Sequence, residues 1–254
     1  NGLLCLATLR PLEGGEGGGA RRVVMINTIP TLLAILPFKL GFVARVGLHH
    51  RLDGLSFKTL AAWMGAFAGL TLATLAPAGA IGLLFEGAVW WALLFVAPAC
   101  GLAAVLIAAH VAKRWGLLHR MMLGAERVMT DPRALLKTYA LRMVDIGVQG
   151  ARFALAASVV GIALEPQHAL LLGSSYFLVV AVAPAGALGV AEAVTAGVAT
   201  TVGLDLETFA LVALVVSGSH YLGALVLAIP SAIVLRPDRV FAGRRGGGAS
   251  LPSS

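Results

Sequence analysis

Charge is what this sequence has least of. Only 12% of its 254 residues are Asp, Glu, Lys or Arg, whereas 59% are hydrophobic and the mean hydropathy is +0.91. A soluble domain carries about 25% charged residues, so these values argue against a soluble globular protein. Aromatic residues are few, at 7%, and no basic patch alternates with them, which argues against a nucleic-acid-binding surface. We predict a membrane protein with no nucleic-acid partner.

Cysteine and the usual catalytic motifs are also scarce. Cys5 and Cys100 lie far apart in the sequence, so we predict neither a disulfide nor a metal site. The sequence contains no phosphate-binding loop and no His/Cys ligand spacing. Ser219-His220 is accompanied by no Gly-x-Ser-x-Gly turn, and His49-His50-Arg51 is interpreted as a solvated basic loop. We therefore predict that the protein is not an enzyme and has no cofactor and no metal.

Long apolar runs are abundant, and four of them predict spanning helices at about 57–76, 89–112, 141–164 and 209–235. Basic residues cluster after residue 112 and in the tail, whereas the turns around Glu86, Glu165 and Asp205 contain no Lys or Arg. Basic loops face the cytoplasm, so we predict a multi-pass protein of the cytoplasmic membrane. The basic residues after residue 112 are Lys113, Arg114, Arg120, Arg127, Arg133 and Lys137.

Two further apolar regions are too short to cross the bilayer twice. Residues 169–202 are split by "APAGALG" into halves of about 15 residues, whereas a spanning helix needs about 20. The region between Arg22 and Arg51 is split by "LPFKLG" in the same way, from the opposite side. Such pairs are typical of inverted-repeat transporters. We predict an all-α polytopic integral membrane helical bundle with two re-entrant broken hairpins in an inverted-repeat arrangement.

The glycine-rich ends and one basic segment complete the predicted organisation. We expect 1–20 to be a flexible N-terminal segment, 21–236 to be a single transmembrane domain and 237–254 to be a disordered tail. Residues 113–131 are predicted to form one interfacial amphipathic helix, after which Asp131-Pro132 begins the next helix. Gly65 and Gly69 form a pair that would let two helices approach closely.

One helix face of the third predicted span carries most of the polar residues. Thr138, Arg142, Asp145, Gln149 and Arg152 follow one another at steps of four and three residues, which places them on one face. Because a charge at the centre of a membrane helix is costly, this face should point into the bundle or toward water. In one interpretation it is a track for a headgroup. In the other, Arg142 and Asp145 form an edge ion pair and Arg152 pairs with a carboxylate elsewhere.

The two breaks contribute three further charged residues. Lys39 and Arg45 flank the first break and either snorkel to the cytoplasmic headgroups or meet an anionic group at the hairpin tip. Glu192 follows the second break by one turn. It is interpreted as a protonated packing residue, as the partner of Arg152 or Lys39, or as a proton-coupling carboxylate.

These two breaks resemble a known family. "NTIPTLLAILPFKLGFVARVGL" resembles the asparagine…leucine-proline-x-basic-x-Gly-(Glu)-x-x-Arg segment of the lysylphosphatidylglycerol synthase transmembrane, or flippase-like, family, and "APAGALGVAEAV" resembles its Pro-Gly-Gly-x-Gly-x-x-Glu-Ala run. The sequence departs from the family where Phe42 replaces a glutamate, where Ala191 replaces a basic residue and near Ser217, where an arginine is common. The matching residues are Asn27, Pro37, Lys39, Gly41 and Arg45 in the first motif and Pro184, Gly186, Gly189 and Glu192 in the second.

The resemblance implies transport of a membrane lipid: an anionic phospholipid, an aminoacylated phospholipid or a polyprenyl-phosphate-linked lipid. The residues expected to contact it are Lys39, Arg45, Arg142, Asp145, Gln149, Arg152 and Glu192. The alternative is a non-transporting scaffold or regulator of a lipid-linked glycosyltransferase. Membrane lipids are the expected partners, and an enzyme of envelope biogenesis or a second copy of the chain stays open as a protein partner.

Overall fold

The computed structural model describes residues 2–13, 20–33, 40–85, 87–182 and 189–235. These residues contain eleven helices and no strand, which confirms the all-α prediction. In chain order the helices are α1 Gly2–Glu13, α2 Ala20–Leu33, α3 Leu40–Leu52, α4 Phe57–Leu84, α5 Gly87–Arg114, α6 Gly116–Met121, α7 Glu126–Met129, α8 Pro132–Val159, α9 Pro166–Val182, α10 Val190–Thr201 and α11 Leu206–Leu235.

Among the described residues, α4, α5 and α11 are long and apolar enough to cross a membrane by length and composition. They have 28, 28 and 30 residues, and at about 1.5 Å per residue each exceeds the hydrocarbon thickness of about 30 Å. Large apolar side chains stand on their outer faces, as shown by Ile107, Leu214 and Val226, which are 63%, 69% and 68% exposed. The protein is therefore a polytopic membrane bundle. Helix α8 also has 28 residues but carries the polar face described below.

Helices α8 and α9 pack side by side, and glycines allow their close approach. A Cβ atom on Gly173 would lie 2.7 Å from backbone atoms of Gln149 and Gly150. Gly101 of α5 lies in similar close approach to the backbone of α4. The predicted role of Gly65 and Gly69 was wrong, because a Cβ on Gly65 would meet open space and one on Gly69 would meet only the Met129 side chain.

Each predicted hairpin consists of two short helices that pack against each other, α2 with α3 and α9 with α10. Their lengths of 14, 13, 17 and 12 residues correspond to about 18–26 Å, which is less than the hydrocarbon thickness. Helix α11 packs against one helix of each hairpin, α2 and α10. The breaks themselves, with Pro37, Lys39, Pro184 and Gly186, lie outside the described residues. The re-entrant insertion from opposite faces stays a prediction.

Two predictions, one about the N-terminal segment and one about residues 113–131, were wrong. Residues 2–13 are not a flexible segment but helix α1, in which Cys5, Thr8 and Leu9 are fully buried. The prediction of a flexible segment rested on the glycine-rich run at 14–19, although the residues before this run are largely apolar. Residues 113–131 do not form one helix, because the chain turns at Leu123 and Gly124, whose φ angles are +53° and +104°. The predicted disordered tail at 237–254 lies outside the described residues.

Candidate functional site

The polar face of α8 points into the bundle. Asp131 caps the helix by accepting a hydrogen bond from the Arg133 backbone N–H at 2.9 Å, and Pro132 follows it at the first helical position, as predicted. Thr138 and Arg142 are fully buried, and the next three polar residues of the face are half-buried. These three residues are Asp145, Gln149 and Arg152.

Arg142 lies at the centre of a buried contact network. Its Nη1 donates to Asp145 Oδ2 at 3.1 Å, and its Nη2 donates to Thr71 Oγ1 on α4. The guanidinium carbon lies 5.4 Å from the ring centroid of Phe67 and 5.1 Å from that of Phe177, both within cation–π range. Its Nε has no hydrogen-bond partner among the described residues. The predicted ion pair with Asp145 is present, but Arg142 is 1% exposed and does not lie at an edge.

Arg45 belongs to the first hairpin. It is half-buried on α3, and its Nε is buried without a hydrogen-bond partner in the described part of the chain. Helix α1, with its fully buried Cys5, packs against α2 of this hairpin and against α8. Helix α1 thus lies beside both the hairpin and the α8 face, an arrangement that sequence reasoning missed.

Asn27 and Gly41 belong to the packing of the first hairpin. Asn27 Nδ2 donates to Val23 O at 2.8 Å and lies 3.4 Å from His49 Nε2. His49 Nδ1 in turn lies 2.6 Å from Asp53 Oδ2. The interpretation of His49 as a solvated residue was wrong, because its side chain is fully buried and packs edge-on against Trp63. The four-residue spacing of His49 and Asp53 was the signal that could have revealed the pair.

Arg152 lies about 15 Å further along α8 than Arg142, at the helical rise per residue. Its Nη1 donates to Gln149 Oε1 at 2.7 Å, and its Nη2 donates to the Val216 carbonyl of α11 at 2.8 Å. Among the described residues no carboxylate lies within 4.0 Å of its nitrogens. The predicted pairing of Arg152 with Glu192 is therefore not present.

Glu192 instead closes a network between α9, α10 and α11. Ser217 Oγ donates to its Oε1 at 2.8 Å, and the Tyr176 hydroxyl lies 3.4 Å from the same oxygen. The Gly189 N–H donates to Oε2 at 2.8 Å, at the start of α10. Gly189 has φ +81° there, a conformation that suits glycine. Sequence reasoning missed Tyr176. The sequence could have indicated Ser217 as a site residue, because it lies where the lysylphosphatidylglycerol synthase transmembrane family, which the sequence resembles, commonly has an arginine.

Two of the predicted contact residues therefore lack a negatively charged partner within the part of the chain that the structure describes. Arg142 is matched by Asp145, Glu192 is held by neutral donors, and Arg45 and Arg152 have no carboxylate partner among the described residues. Within the same residues, no group of three His, Cys, Asp or Glu side chains could hold a metal ion. The arrangement offers guanidinium donors inside a membrane bundle, a chemistry that suits an oxyanion.

A comparison with family models decides the family. The model described as the lysylphosphatidylglycerol synthase TM region matches residues 5–228. The chain belongs to this family. The match extends from α1 to α11, so it includes both hairpins, the α8 face and most of helix α1, which lies in the segment predicted to be flexible. Neither the curated proteins nor the solved structures gave a match. Family membership indicates a membrane protein of lipid metabolism or lipid transport.

Proposed function

We propose that this protein moves a lipid with a phosphate-bearing headgroup across the cytoplasmic membrane. The headgroup travels along the polar face of α8 while its acyl chains stay in the surrounding lipid, so no large apolar cavity is required. Substrates of this class are anionic phospholipids, aminoacylated phospholipids and polyprenyl-phosphate-linked lipids. The protein makes and breaks no covalent bond in this proposal.

The observation that carries the proposal is a pair of cations, Arg45 and Arg152, that have no carboxylate partner among the described residues. A guanidinium in a membrane interior is costly unless it is paired. A phosphodiester supplies the missing negative charge and accepts two parallel N–H donors from a guanidinium. Arg152 lies on the polar face of α8 and Arg45 lies on α3 of the first hairpin, so the two residues would form two separate anion sites.

Arg142 and Glu192 have supporting roles in this route. Arg142 is held by Asp145, Thr71 and two aromatic rings, so it keeps α4, α8 and α9 together. Glu192 ties the start of α10 to Ser217 of α11. A change in that contact would let the second hairpin move relative to α11, which is the type of motion that alternating access requires.

The experiment is a translocation assay in proteoliposomes with fluorescent phosphatidylglycerol and a short-chain polyprenyl-phosphate sugar. The test variant is Arg45→Gln/Arg152→Gln, which keeps side chains that can form hydrogen bonds and removes both charges. The control is Arg133→Gln/Lys137→Gln, which removes two exposed charges from the first turns of α8.

We expect transport of one or both probes by the wild type, a rate at least tenfold lower for the test variant and a rate within twofold of wild type for the control. Equal rates for wild type and test variant would contradict the headgroup route. No transport by the correctly folded wild type would favour the scaffold, the alternative that requires no polar route.

A further inference from the structure

A buried polar network joins the first hairpin to its neighbours, and the proposed translocation route does not use it. The network includes His49 of α3, which is fully buried. Asn27 of α2 contacts one side of the imidazole, and the ring of Trp63 of α4 packs edge-on against it, with 5.0 Å between the ring centroids. The indole N–H of Trp63 donates to Thr8 Oγ1 of α1 at 2.9 Å. Four helices are therefore joined by these contacts.

The two imidazole nitrogens of His49 have partners in different parts of the hairpin. Nδ1 lies 2.6 Å from Oδ2 of Asp53, whose backbone N–H donates to the His49 carbonyl at 3.1 Å and so holds it at the end of α3. Nε2 lies 3.4 Å from Nδ2 of Asn27 on α2. Because an ionised carboxylate only accepts hydrogen bonds, Nδ1 carries a proton. One nitrogen thus binds within the end of α3, whereas the other connects α3 to α2.

The amide of Asn27 fits a neutral His49. Its Nδ2 also donates to the Val23 carbonyl at 2.8 Å, so the amide presents an N–H group to the imidazole. When Nδ1 of a neutral imidazole carries the proton, Nε2 is an acceptor, whereas both nitrogens of a charged imidazole are donors. Protonation of His49 would therefore bring two N–H groups face to face. Rotating the amide would place Oδ1 against the Val23 carbonyl, where two acceptors would meet instead.

The rest of the described surroundings gives a charged Nε2 no replacement acceptor. The indole N–H of Trp63 is a donor only, and it is already bound to Thr8. His49 is 0% exposed, so bulk water does not reach the ring. A buried charged N–H without an acceptor is unfavourable. The contact between α2 and α3 is therefore the one that protonation breaks.

The charges around His49 favour the same outcome. A positive imidazole strengthens the bond to Asp53, which moves with α3. Helices α2 and α4 pack against α3, and neither contains an acidic residue that could hold a charged His49 in place. The charged residues of these two helices are Arg21, Arg22 and Lys58. The other titratable groups on α3 and in the buried core beside it are Arg45, His50, Arg51 and Cys5.

We propose that protonation of His49 releases α3 from α2, so that the first hairpin opens when the pH falls. Charged His49 keeps its bond to Asp53 and loses its contact with Asn27. Arg45 lies one turn before His49 on α3 and moves with it, so the pH also controls the position of this candidate headgroup contact. The movement of α3 is a property of the hairpin and does not rest on the translocation route.

The test is the distance between spin labels on α3 and α11, measured by double electron–electron resonance on the full chain in nanodiscs. The labels are attached to Val43→Cys and Val226→Cys, which are exposed positions, after Cys5 and Cys100 are replaced by alanine. Helix α11 packs against α2, so the distance reports movement of α3 relative to α2 and α11. We expect the mean distance to change by more than about 2 Å when the pH is lowered from about 8 to about 5, the range in which imidazole groups ordinarily become charged.

His49→Gln keeps a neutral side chain that forms hydrogen bonds and should abolish this change. Asn27→Asp places a carboxylate opposite Nε2, which accepts from a charged His49, and should keep at pH 5 the distance that wild type has at pH 8. The matched control His50→Gln removes the neighbouring imidazole, whose Nδ1 lies 2.7 Å from the Leu55 carbonyl, and should leave the change intact.

A wild-type distance that stays the same at both pH values would overturn the proposal. A change that survives in folded His49→Gln would also overturn it, because another group would then be responsible. Both results are independent of whether the translocation assay detects transport.

Discussion

The close contact between α8 and α9 can be tested by adding one methyl group at Gly173. Its Cβ would lie 2.7 Å from two backbone atoms of α8, the carbonyl carbon of Gln149 and the nitrogen of Gly150. Ordinary contact begins at 3.4 Å, so the helices must move apart by about 0.7 Å at this point. Backbone atoms cannot turn away as a side chain can, and the shift displaces Gln149 and its partner Arg152.

Gly147→Ala is the matched control, because Gly147 lies in the same part of α8 and a Cβ there would meet nothing within 4 Å. Both substitutions gain helix propensity of about 1 kcal/mol, so this gain cancels in the comparison. The difference between the two variants is then the cost of overpacking. We expect Gly173→Ala to have a free energy of unfolding about 1–3 kcal/mol below that of Gly147→Ala.

The assay is reversible unfolding in mixed micelles with increasing SDS, followed by tryptophan fluorescence. We expect the two variants to differ in stability and Gly147→Ala to be no less stable than wild type within error. Equal stability of the two alanine variants would refute the close approach of α8 and α9 at Gly173.

Three other predictions concern single contacts. Asp145→Asn leaves the buried Arg142 without its carboxylate and should lower the free energy of unfolding by about 3 kcal/mol, measured in the same SDS titration; an unchanged midpoint would contradict the ion pair. Asp131→Ala removes the cap of α8 and should cost about 1 kcal/mol, whereas the exposed Arg133→Ala should cost less than half of that. The Thr208 N–H donates to Asp205 Oδ1 at 2.8 Å and holds the pKa of that carboxyl below its ordinary value of 3.8. The charged form is thus favoured in the folded state, so this contribution to stability is present above the ordinary pKa and is lost as the pH falls through the lowered value. An NMR titration of the Asp205 carboxyl carbon checks this, and a midpoint at or above 3.8 would contradict it.

Much of the helical architecture could be predicted because apolar length is a property of the sequence alone. The runs beginning near Phe57, Gly87 and Leu206 form the three long apolar helices, and Asp131-Pro132 begins α8 as its capping chemistry requires. The split of 113–131 could not be predicted, because Leu123 adopts a left-handed conformation that a residue with a Cβ disfavours.

The polar face of α8 could be predicted from spacing, but its partners could not. The spacing of Arg142 and Asp145 indicates a pair on one helix, whereas the contacts of Arg142 with Thr71 and Phe177 join residues far apart in the sequence. Glu192 was singled out by its position after a break, yet its neutral partners Ser217 and Tyr176 depend on how α9, α10 and α11 pack. A lone charge in an apolar run indicates that a partner is needed, not which residue supplies it.

The most direct test of the translocation route is whether the protein requires a phosphate in its substrate. Fluorescent phosphatidylglycerol and fluorescent glucosyl diacylglycerol with the same acyl chains would be compared in proteoliposomes with wild-type protein. Because Arg45 and Arg152 recognise negative charge in this account, we predict transbilayer movement of phosphatidylglycerol at least tenfold faster than that of the neutral glycolipid. Equal rates for the two lipids would contradict a route that depends on these guanidinium groups.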